Sequence, residues 1–380
     1  MSYICFMITR KLVDLLQKYL PMQKALIILG PRQVGKTTLM KNLFNESNAS
    51  KVWFNCDLEE DRLELSNVTL NNLKIKLSGI QLICIDEAQR VKNIGLTLKI
   101  IYDNFPEIQI VVTGSSALDI ANEINEPLTG RKIELNLFPF STQELWQHFG
   151  GINEHKNLEQ RLIYGFYPEI VNKMENAPKL LSELTSSYLF KDIFMYEEIR
   201  SPEMLEKILK ALAHQVGSLV SYNEIANLLK VSSKTVERYV KLLEQSFVIF
   251  RLPSYARNIR NELSKSQKIY FYDNGIRNAL IGNFDSLAKR TDIGQLWENY
   301  LVSERKKYLN NNELNHSLYF WRTKQQQEID LIEVDKDEIL AFEFKWQKGS
   351  KSKISTTFTG AYPNHTFKAI DKENYWEFVL

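Results

Sequence analysis

The first third of the chain contains apolar runs that end in small or charged residues. Ala25 to Leu29 is a continuous apolar run, and the later stretches "QLICID" and "IQIVVTG" have the same character. Runs of this length without polar alternation are typical of strands buried on both faces, as in a parallel sheet. A loop and a segment with helical apolar spacing follow the first run. The pattern therefore predicts an α/β domain built on a parallel sheet.

Between about Leu145 and Pro202 the apolar residues recur at spacings of three and four, interrupted by "GFYPE". This periodicity predicts a helical lid or connector without chemistry of its own. Because the residue before a proline disfavours the helical conformation, Ser201-Pro202 is predicted to be a helix boundary.

Two short helices and a strand pair are predicted in the next segment. Ser221 and Glu224 stand at capping-box spacing, which predicts a helix that begins at Tyr222. A second helix is predicted to begin near Ser233. The apolar stretches "FVIFRL" and "KIYFYD" follow as strands. This order of elements predicts a winged helix-turn-helix.

The second of these helices has a basic face as well as an apolar one. Its three cations recur at helical spacing and are Lys234, Arg238 and Lys241. Three further cations lie between the two predicted strands, as in a phosphate-contacting wing: Arg257, Arg260 and Lys265. Two interpretations are open: the basic face contacts the DNA backbone, or the helix only packs and its cations are solvated.

Length and charge limit these interpretations. A chain of 380 residues is too long for one small core, which predicts two or three domains. Its 44% hydrophobic and 25% charged residues are typical of a globular protein rather than a disordered one. Because 48 basic and 46 acidic residues nearly cancel, a nucleic-acid surface would have to arise from local clustering.

The cysteines and the first residues bear on the compartment. Cys5, Cys56 and Cys84 are far apart in the sequence, which predicts free thiols in a reducing cytoplasm. The start "MSYICFMITRKL" has no basic region before its apolar residues and no cleavage-like site, so no signal peptide is expected. No apolar run has the length of a membrane span.

The strongest motif is "GPRQVGKTT", which has the GxxxxGK[ST] spacing of a P-loop between a predicted strand and a predicted helix. Amides of such a loop and the helix N-terminus bind phosphate, while Lys36 reaches the outer phosphates and Thr37 binds Mg²⁺. The residues predicted to bind ATP are Gly30, Pro31, Arg32, Gln33, Val34, Gly35, Lys36, Thr37 and Thr38.

Two later strands end in residues that suit the same site. In "IDEAQ", Asp86 is predicted to hold the water shell of Mg²⁺ and Glu87 to polarise the attacking water. In "TGSSA", Thr113 or Ser115 is predicted to sense the terminal phosphate, although helix capping explains a serine here equally well.

Arg131 follows a glycine turn in "LTGRKIEL". Its guanidinium is a candidate for stabilising transition-state charge on its own or a neighbouring subunit's nucleotide. The alternative is a surface ion pair with Glu134.

Together these motifs resemble a large bacterial and archaeal family that joins an AAA-type ATPase domain to a C-terminal domain of unknown function. The last part of that domain resembles the PD-(D/E)XK nucleases. The resemblance continues through "LFPFSTQEL", "GFYPEIV", "YLFKDI", "FYDNGIRNAL", "WENYLVSE", "WRTKQQQEIDLI" and "FEFKW". It begins at about Met7, which makes Met7 an alternative start to Met1. The family usually has two glycines at Gly165-Phe166.

The nuclease resemblance implies a helix carboxylate, a second carboxylate in a hairpin, and an acid-x-lysine on the partner strand. Glu298, Asp330 and Glu343 with Lys345 occur in that order. The three carboxylates are predicted Mg²⁺ ligands, and Lys345 is predicted to orient water or stabilise phosphate charge. The alternative is that Glu343 and Lys345 form an ordinary ion pair.

The predicted domains are an AAA-type P-loop domain (1–144), a helical connector (145–202), a winged helix-turn-helix (203–273) and a PD-(D/E)XK nuclease-like α/β domain (274–380). The predicted activity is Mg²⁺-dependent ATP hydrolysis in the cytoplasm, coupled to binding or processing of nucleic acid, most simply DNA. A homo-oligomer or a protein partner is a further possibility. No membrane is expected as a partner. The alternative function is a nucleotide-controlled switch whose nuclease-like domain is inactive, and a lesser one is a P-loop protein acting on a small molecule.

Overall fold

The computed structural model describes residues 8–66, 68–114, 128–188, 201–256, 266–349 and 353–380. The chain divides into two compact units. The first unit comprises Met1–Pro139 with Gln245–Phe247, and the second comprises Phe140–Glu244 with Val248–Leu380.

Strands and helices alternate in the described part of the first unit. The strands are β1 (Ala25–Leu29), β2 (Lys51–Asn55), β3 (Leu82–Asp86), β4 (Gln109–Gly114) and β5 (Lys132–Asn136). The helices are α1 (Leu12–Tyr19), α2 (Lys36–Glu46), α3 (Glu59–Leu65), α4 (Leu70–Lys76) and α5 (Ile94–Asn104), with 3-10 turns at Leu20–Met22 and Ala88–Arg90.

The five strands described in this unit form one parallel sheet in the order β2-β3-β4-β1-β5. Every residue of β1 and of β3 is buried, which confirms the predicted buried strands of a parallel sheet. Because β4 lies between β1 and β3, the carboxyl ends of these three strands meet at one edge of the sheet.

The second unit is richer in helices. Its described strands are β6 (Ile249–Pro253), β7 (Gln267–Phe271), β8 (Ser317–Arg322), β9 (Glu328–Asp335), β10 (Glu338–Phe344) and β11 (His365–Ile370). Its first described helices are α6 (Thr142–Phe149), α7 (Gly151–Lys156), α8 (Leu158–Tyr164), α9 (Pro168–Asn172), α10 (Ala177–Glu183) and α11 (Pro202–His214). Later helices are α12 (Tyr222–Leu229), α13 (Ser233–Gln245), α14 (Asn274–Leu280), α15 (Ile293–Asn311), α16 (Thr356–Ala361) and α17 (Trp376–Val379). Shorter turns are Met174–Asn176, Leu184–Tyr188 and Leu287–Lys289.

Two sheets are present in the described residues of the second unit. Strands β6 and β7 form an antiparallel pair. Strands β8, β9 and β10 are antiparallel neighbours, and β11 adds to β10 in parallel, in the order β11-β10-β9-β8. Buried Trp321, Ile332 and Phe358 belong to the core on this second sheet.

The helix starts that were predicted from local sequence signals are confirmed for three helices. Helix α12 begins at Tyr222, and the Ser221 hydroxyl accepts the N–H of Glu224 at 3.3 Å. Helix α11 begins at Pro202 and α13 begins at Ser233, as predicted. No helix among the described residues is both long and apolar enough to cross a membrane.

Apart from Gln245–Phe247, the predicted connector, winged helix and C-terminal domain fall within the second unit, which starts at residue 140, near the predicted limit at 144. Buried hydrogen bonds cross the predicted limits. The Asn278 amide donates to the Ile163 carbonyl at 2.8 Å, and Phe271 N–H donates to Asn299 Oδ1 at 2.7 Å. These contacts unite segments that the sequence divides into three, so the individual domain limits stay predictions.

Gly165 ends α8 in a conformation that only glycine adopts readily, with φ 73° and ψ −155°. A Cβ atom here would lie 2.1 Å from Oδ1 of Asp273. The Asp273 carboxylate accepts the N–H groups of Phe166 at 2.7 Å and of Ile276 at 3.1 Å. Burial raises the pKa of Asp273, and these donors offset part of that rise. One glycine, Gly165, thus makes this turn, whereas the family that the sequence resembles usually has two glycines here.

Candidate functional site

The loop between β1 and α2 has the backbone that phosphate binding requires. A Cβ on Gly30 would lie 2.0 Å from the carbonyl oxygen of Leu137, so no larger residue fits. Gly35 has φ 95° and directly precedes α2, which begins at Lys36. The two glycines therefore aim the loop and the N-terminus of an eleven-residue helix at the same space.

Lys36 folds back over this loop. Its side chain is 4% exposed, and its ammonium donates to the carbonyls of Gly30 at 2.8 Å and Pro31 at 2.9 Å. The predicted phosphate-binding cation thus lies inside the loop rather than in bulk water. A charge held this way is available to phosphate oxygens that enter the loop.

Three side chains meet at the carboxyl edge of the sheet beside the loop. Buried Asp86, at the end of β3, accepts the Thr37 hydroxyl at 3.2 Å through Oδ1. The same oxygen accepts the hydroxyl of Thr113, on β4, at 2.5 Å. Strand order brings Thr113 here, because β4 separates β1 from β3. A hydroxyl and a carboxylate so placed are the oxygen donors that Mg²⁺ prefers.

Glu87 takes a left-handed conformation, with φ 53°, immediately after β3. Its N–H donates to the Thr113 hydroxyl at 3.1 Å, and its carboxylate accepts the Gln89 amide at 2.5 Å. Left-handed backbone is unfavourable for a residue with a Cβ, so these contacts hold Glu87 in a strained position. Such strain is typical of functional sites.

Arg10 is a residue of this site that motif analysis missed. Its guanidinium donates to the Val34 carbonyl at 2.8 Å and to the Phe138 carbonyl at 2.5 Å. It therefore ties the phosphate loop to the segment after β5. Arg10 and Val34 are 24 residues apart, so no local spacing pattern could have revealed the contact.

Arg131 lies at the amino end of the parallel strands, opposite the phosphate loop. Its carbonyl accepts the N–H of Ala25, the first residue of β1, whereas the phosphate loop follows the last residue of β1. A five-residue strand separates the two edges by about 16 Å. The Arg131 guanidinium donates to Asp103 at 2.8 Å. Arg131 is thus remote from its own chain's loop, and a role at a neighbouring subunit's nucleotide stays a prediction.

The alternative interpretation of Arg131, an ion pair with Glu134, is wrong. Arg131 pairs with Asp103 instead, and Glu134 pairs with Lys132. Residues i and i+2 of a strand share a face, which places Lys132 rather than Arg131 beside Glu134. Ser115, the other predicted phosphate sensor, lies outside the described residues.

Cys56 and Cys84 are buried free thiols in the first unit. Burial, followed by neighbouring carboxylates including Asp86, raises the pKa of each thiol to about 12. Both stay protonated near neutral pH and behave as small apolar groups rather than nucleophiles. Cys5 lies outside the described residues.

The predicted basic face is present on α13. Lys234 and Lys241 are exposed, while Arg238 is half-buried with its guanidinium carbon 5.4 Å from the centre of the Tyr239 ring. Val236, Val240 and Leu243 are buried on the apolar face, as predicted. The predicted wing cations Arg257, Arg260 and Lys265 lie outside the described residues.

The C-terminal carboxylates are already engaged by protein groups. Glu298, on α15, accepts Lys268 at 2.8 Å and the Tyr270 hydroxyl at 2.6 Å. Asp330, on β9, accepts the N–H of Phe344 at 2.7 Å. Glu343, on β10, pairs with Lys345 at 2.7 Å, which is the ion pair of the alternative interpretation.

The charges of this region influence one another. Burial raises the pKa of Asp330 well above its ordinary value, and the carboxylates of Glu298 and Glu343 raise it further. Burial lowers the pKa of Lys268, but nearby carboxylates, Glu298 first, outweigh it and raise that pKa to about 12. The described residues contain no group of three carboxylate, histidine or cysteine side chains placed to hold a metal ion. The predicted ligands Glu298, Asp330 and Glu343 thus share a neighbourhood without forming a metal centre.

Three family models match successive parts of the chain. Residues 22–146 match the model described as an AAA domain. Residues 155–287 match "Domain of unknown function (DUF8612)", and residues 293–373 match "Domain of unknown function (DUF4143)". The chain therefore combines an AAA domain of the P-loop ATPase type with a C-terminal DUF4143 domain. The resemblance to PD-(D/E)XK nucleases stays a prediction.

Relatives in bacteria and archaea match most of this chain. An uncharacterized protein of Mycobacterium tuberculosis is 28% identical over 333 residues, which cover 86% of this chain and 71% of that protein. An uncharacterized protein of Methanocaldococcus jannaschii is 24% identical over 345 residues, covering 84% and 74%. The solved Thermotoga maritima RuvB Holliday junction branch migration motor is 19% identical, with a TM-score of 0.33, covering 67% of this chain and 91% of that one. A TM-score this low transfers neither fold nor function.

Proposed function

We propose that this AAA-domain chain is a cytoplasmic Mg²⁺-dependent ATPase whose nucleotide state controls binding to nucleic acid, most simply DNA. The observation that carries the ATPase proposal is the hydrogen-bonded group of Thr37, Asp86 and Thr113 beside the P-loop. A P-loop that does not hydrolyse nucleotide has no need of a second acid held in a left-handed conformation, as Glu87 is beside Asp86.

Each residue then has a distinct task. The amides of the loop bind the phosphates, and Lys36 places its charge on the outer ones. Thr37 and Asp86 would hold Mg²⁺, which would neutralise charge on the phosphates. Glu87 accepts a proton from the attacking water, since Thr113 and Gln89 hold its backbone and carboxylate in place.

Glu87→Gln is expected to slow ATP hydrolysis about 100- to 1000-fold, because the amide cannot accept the proton. ATP binding should persist, since the loop and Lys36 are unchanged. Turnover is measured as phosphate release with Mg²⁺, and binding is measured with a fluorescent ATP analogue. Glu107→Gln, an exposed acid of the same unit, is the control and should keep normal turnover. Normal turnover in Glu87→Gln would contradict the assignment.

Nucleic-acid binding is assigned to α13, as the second helix of a winged helix-turn-helix. Its support is the pair of exposed lysines, Lys234 and Lys241, on the face opposite a buried apolar face. Stimulation of ATP hydrolysis by duplex or single-stranded DNA tests the coupling. If no nucleic acid binds the protein or stimulates its ATP hydrolysis, the alternative of a P-loop protein acting on a small molecule replaces this proposal.

Replacing Lys234 and Lys241 together by glutamine is expected to weaken DNA binding and to flatten its salt dependence. Each phosphate contact contributes about −0.9 to the slope of log K against log salt. The slope of the double variant should therefore be shallower by roughly 1.8. Affinity is measured by fluorescence anisotropy from low to moderate salt. Lys210→Gln, an exposed lysine of α11, is the control and should keep the parent slope. An unchanged slope in the double variant would mean that the basic face is solvated and does not contact DNA phosphates.

The second candidate function is a nucleotide-controlled switch with an inactive C-terminal domain. The engagement of Glu298 by Lys268 and Tyr270 favours it over cleavage. Cleavage assays with Mg²⁺ or Mn²⁺ on duplex, single-stranded and branched DNA distinguish the two functions. Arg131 acting on a neighbouring subunit's nucleotide would additionally require a homo-oligomer, which sedimentation with and without ATP tests.

A further inference from the structure

A buried ammonium group lies among the C-terminal carboxylates. Lys268, on β7, is 1% exposed, and its Nζ lies 2.8 Å from Oε1 of Glu298 and 2.5 Å from Oε1 of Glu328. An ammonium withdrawn from water this far requires close carboxylate partners. Glu298 lies on α15 and Glu328 on β9, so the lysine joins three separate elements.

The two carboxylates have further donors of their own. Oε1 of Glu298 also accepts the Tyr270 hydroxyl at 2.6 Å. A Cβ on Gly217 would lie 3.2 Å from Oε2 of Glu298, so a side chain at position 217 would crowd that second oxygen. Oε2 of Glu328 pairs with Arg322 at 3.0 Å. Glu298 and Glu328 are thus neutralised by two protein cations, Lys268 and Arg322, without a metal ion.

The residues expected from the nuclease resemblance therefore do not fit a metal ion as they stand. A divalent cation binds through carboxylate oxygens, and protein donors that already occupy those oxygens compete with it. Glu298 is held by Lys268, Glu343 by Lys345, and Asp330 by the N–H of Phe344. Binding a metal would require the protein to withdraw a lysine that is buried and doubly paired.

We propose that Lys268 takes the place of a divalent cation in this domain. Lys268, Tyr270, Glu298 and Glu328 form what we call the lysine centre, a metal-free link between β7, α15 and β9. It serves assembly of the second unit rather than phosphodiester cleavage. Because none of its residues belongs to the nucleotide site, loss of ATP hydrolysis leaves the lysine centre untouched, and the two proposals can fail separately.

The sign of a stability change tests this assignment. In a lysine centre, Glu298→Gln leaves a buried ammonium short of one partner and is expected to lower the Tm of the second unit by roughly 5–15 °C. In a metal site lacking its ion, the same substitution would relieve repulsion between carboxylates and raise the Tm. Melting is followed by circular dichroism with and without millimolar Mn²⁺, on the full nucleotide-free chain. Every protein carries Asp86→Asn, so that Mn²⁺ at the P-loop does not contribute.

Lys268→Met supplies the second measurement, because it bares Glu298 and Glu328 for a cation. Mn²⁺ is expected to raise the Tm of this variant by several degrees and to leave the parent unchanged. Lys307→Met is the matched control: Lys307 is an equally buried lysine that pairs with Glu304 at 2.7 Å. It should be destabilised without gaining a response to Mn²⁺. A rise in Tm on Glu298→Gln, or a Mn²⁺ response of the parent that Glu298→Gln abolishes, overturns the proposal.

Discussion

Lys36→Met is expected to lower ATP hydrolysis by about 100- to 1000-fold, because it removes the cation that the P-loop closes around. The ammonium of Lys36 is buried, with the carbonyls of Gly30 and Pro31 as acceptors. Methionine keeps the length of the side chain but has no charge for the outer phosphates. The expected result is loss of Mg²⁺-dependent ATP binding together with turnover, measured by calorimetry and phosphate release.

Lys41 provides the control for this experiment. It lies on the same helix, α2, but is exposed. Lys41→Met should therefore bind and hydrolyse ATP like the parent. If Lys36→Met retains full affinity for ATP, the P-loop is not the nucleotide site and the ATPase proposal fails.

Gly165→Ala is expected to destabilise the second unit by about 2–6 kcal/mol. A residue with a Cβ in this φ, ψ region costs about 1–3 kcal/mol, and a buried clash adds about 1–3 kcal/mol. The clash arises because the new Cβ would lie 2.1 Å from Oδ1 of Asp273. Asp273 cannot swing away without losing the N–H groups of Phe166 and Ile276. Urea denaturation followed by tryptophan fluorescence measures the loss.

Gly282→Ala separates the two contributions. Gly282 also has a positive φ, of 66°, but a Cβ there has no atom within 4 Å. Only the backbone term applies, so Gly282→Ala should cost about 1–2 kcal/mol. Equal losses in the two variants would show that contact with Asp273 contributes nothing.

Much of the candidate nucleotide site was predictable, because its signals are local in sequence. The P-loop depends on glycines five residues apart and on the lysine that follows, between a strand and a helix. The starts of α11, α12 and α13 depend on capping residues and a proline next to the first turn. Backbone hydrogen bonds within a helix reach only four residues, which is why such signals can be identified without a fold.

The meeting of distant side chains followed from strand order and packing instead. Thr113 reaches Asp86 only because β4 lies between β1 and β3, an order that apolar runs do not encode. Arg131 is remote from its own P-loop because parallel strands place their amino and carboxyl ends at opposite edges.

Lys268 shows the same limit of local pattern. Its sequence neighbours form an apolar strand, and Glu298 is 30 residues away, so nothing nearby indicates that the two pair. Local spacing determined which residues can bind phosphate and where helices begin. Long-range packing decided which charges are neutralised, because a buried charge is stable only beside partners that the assembled fold supplies.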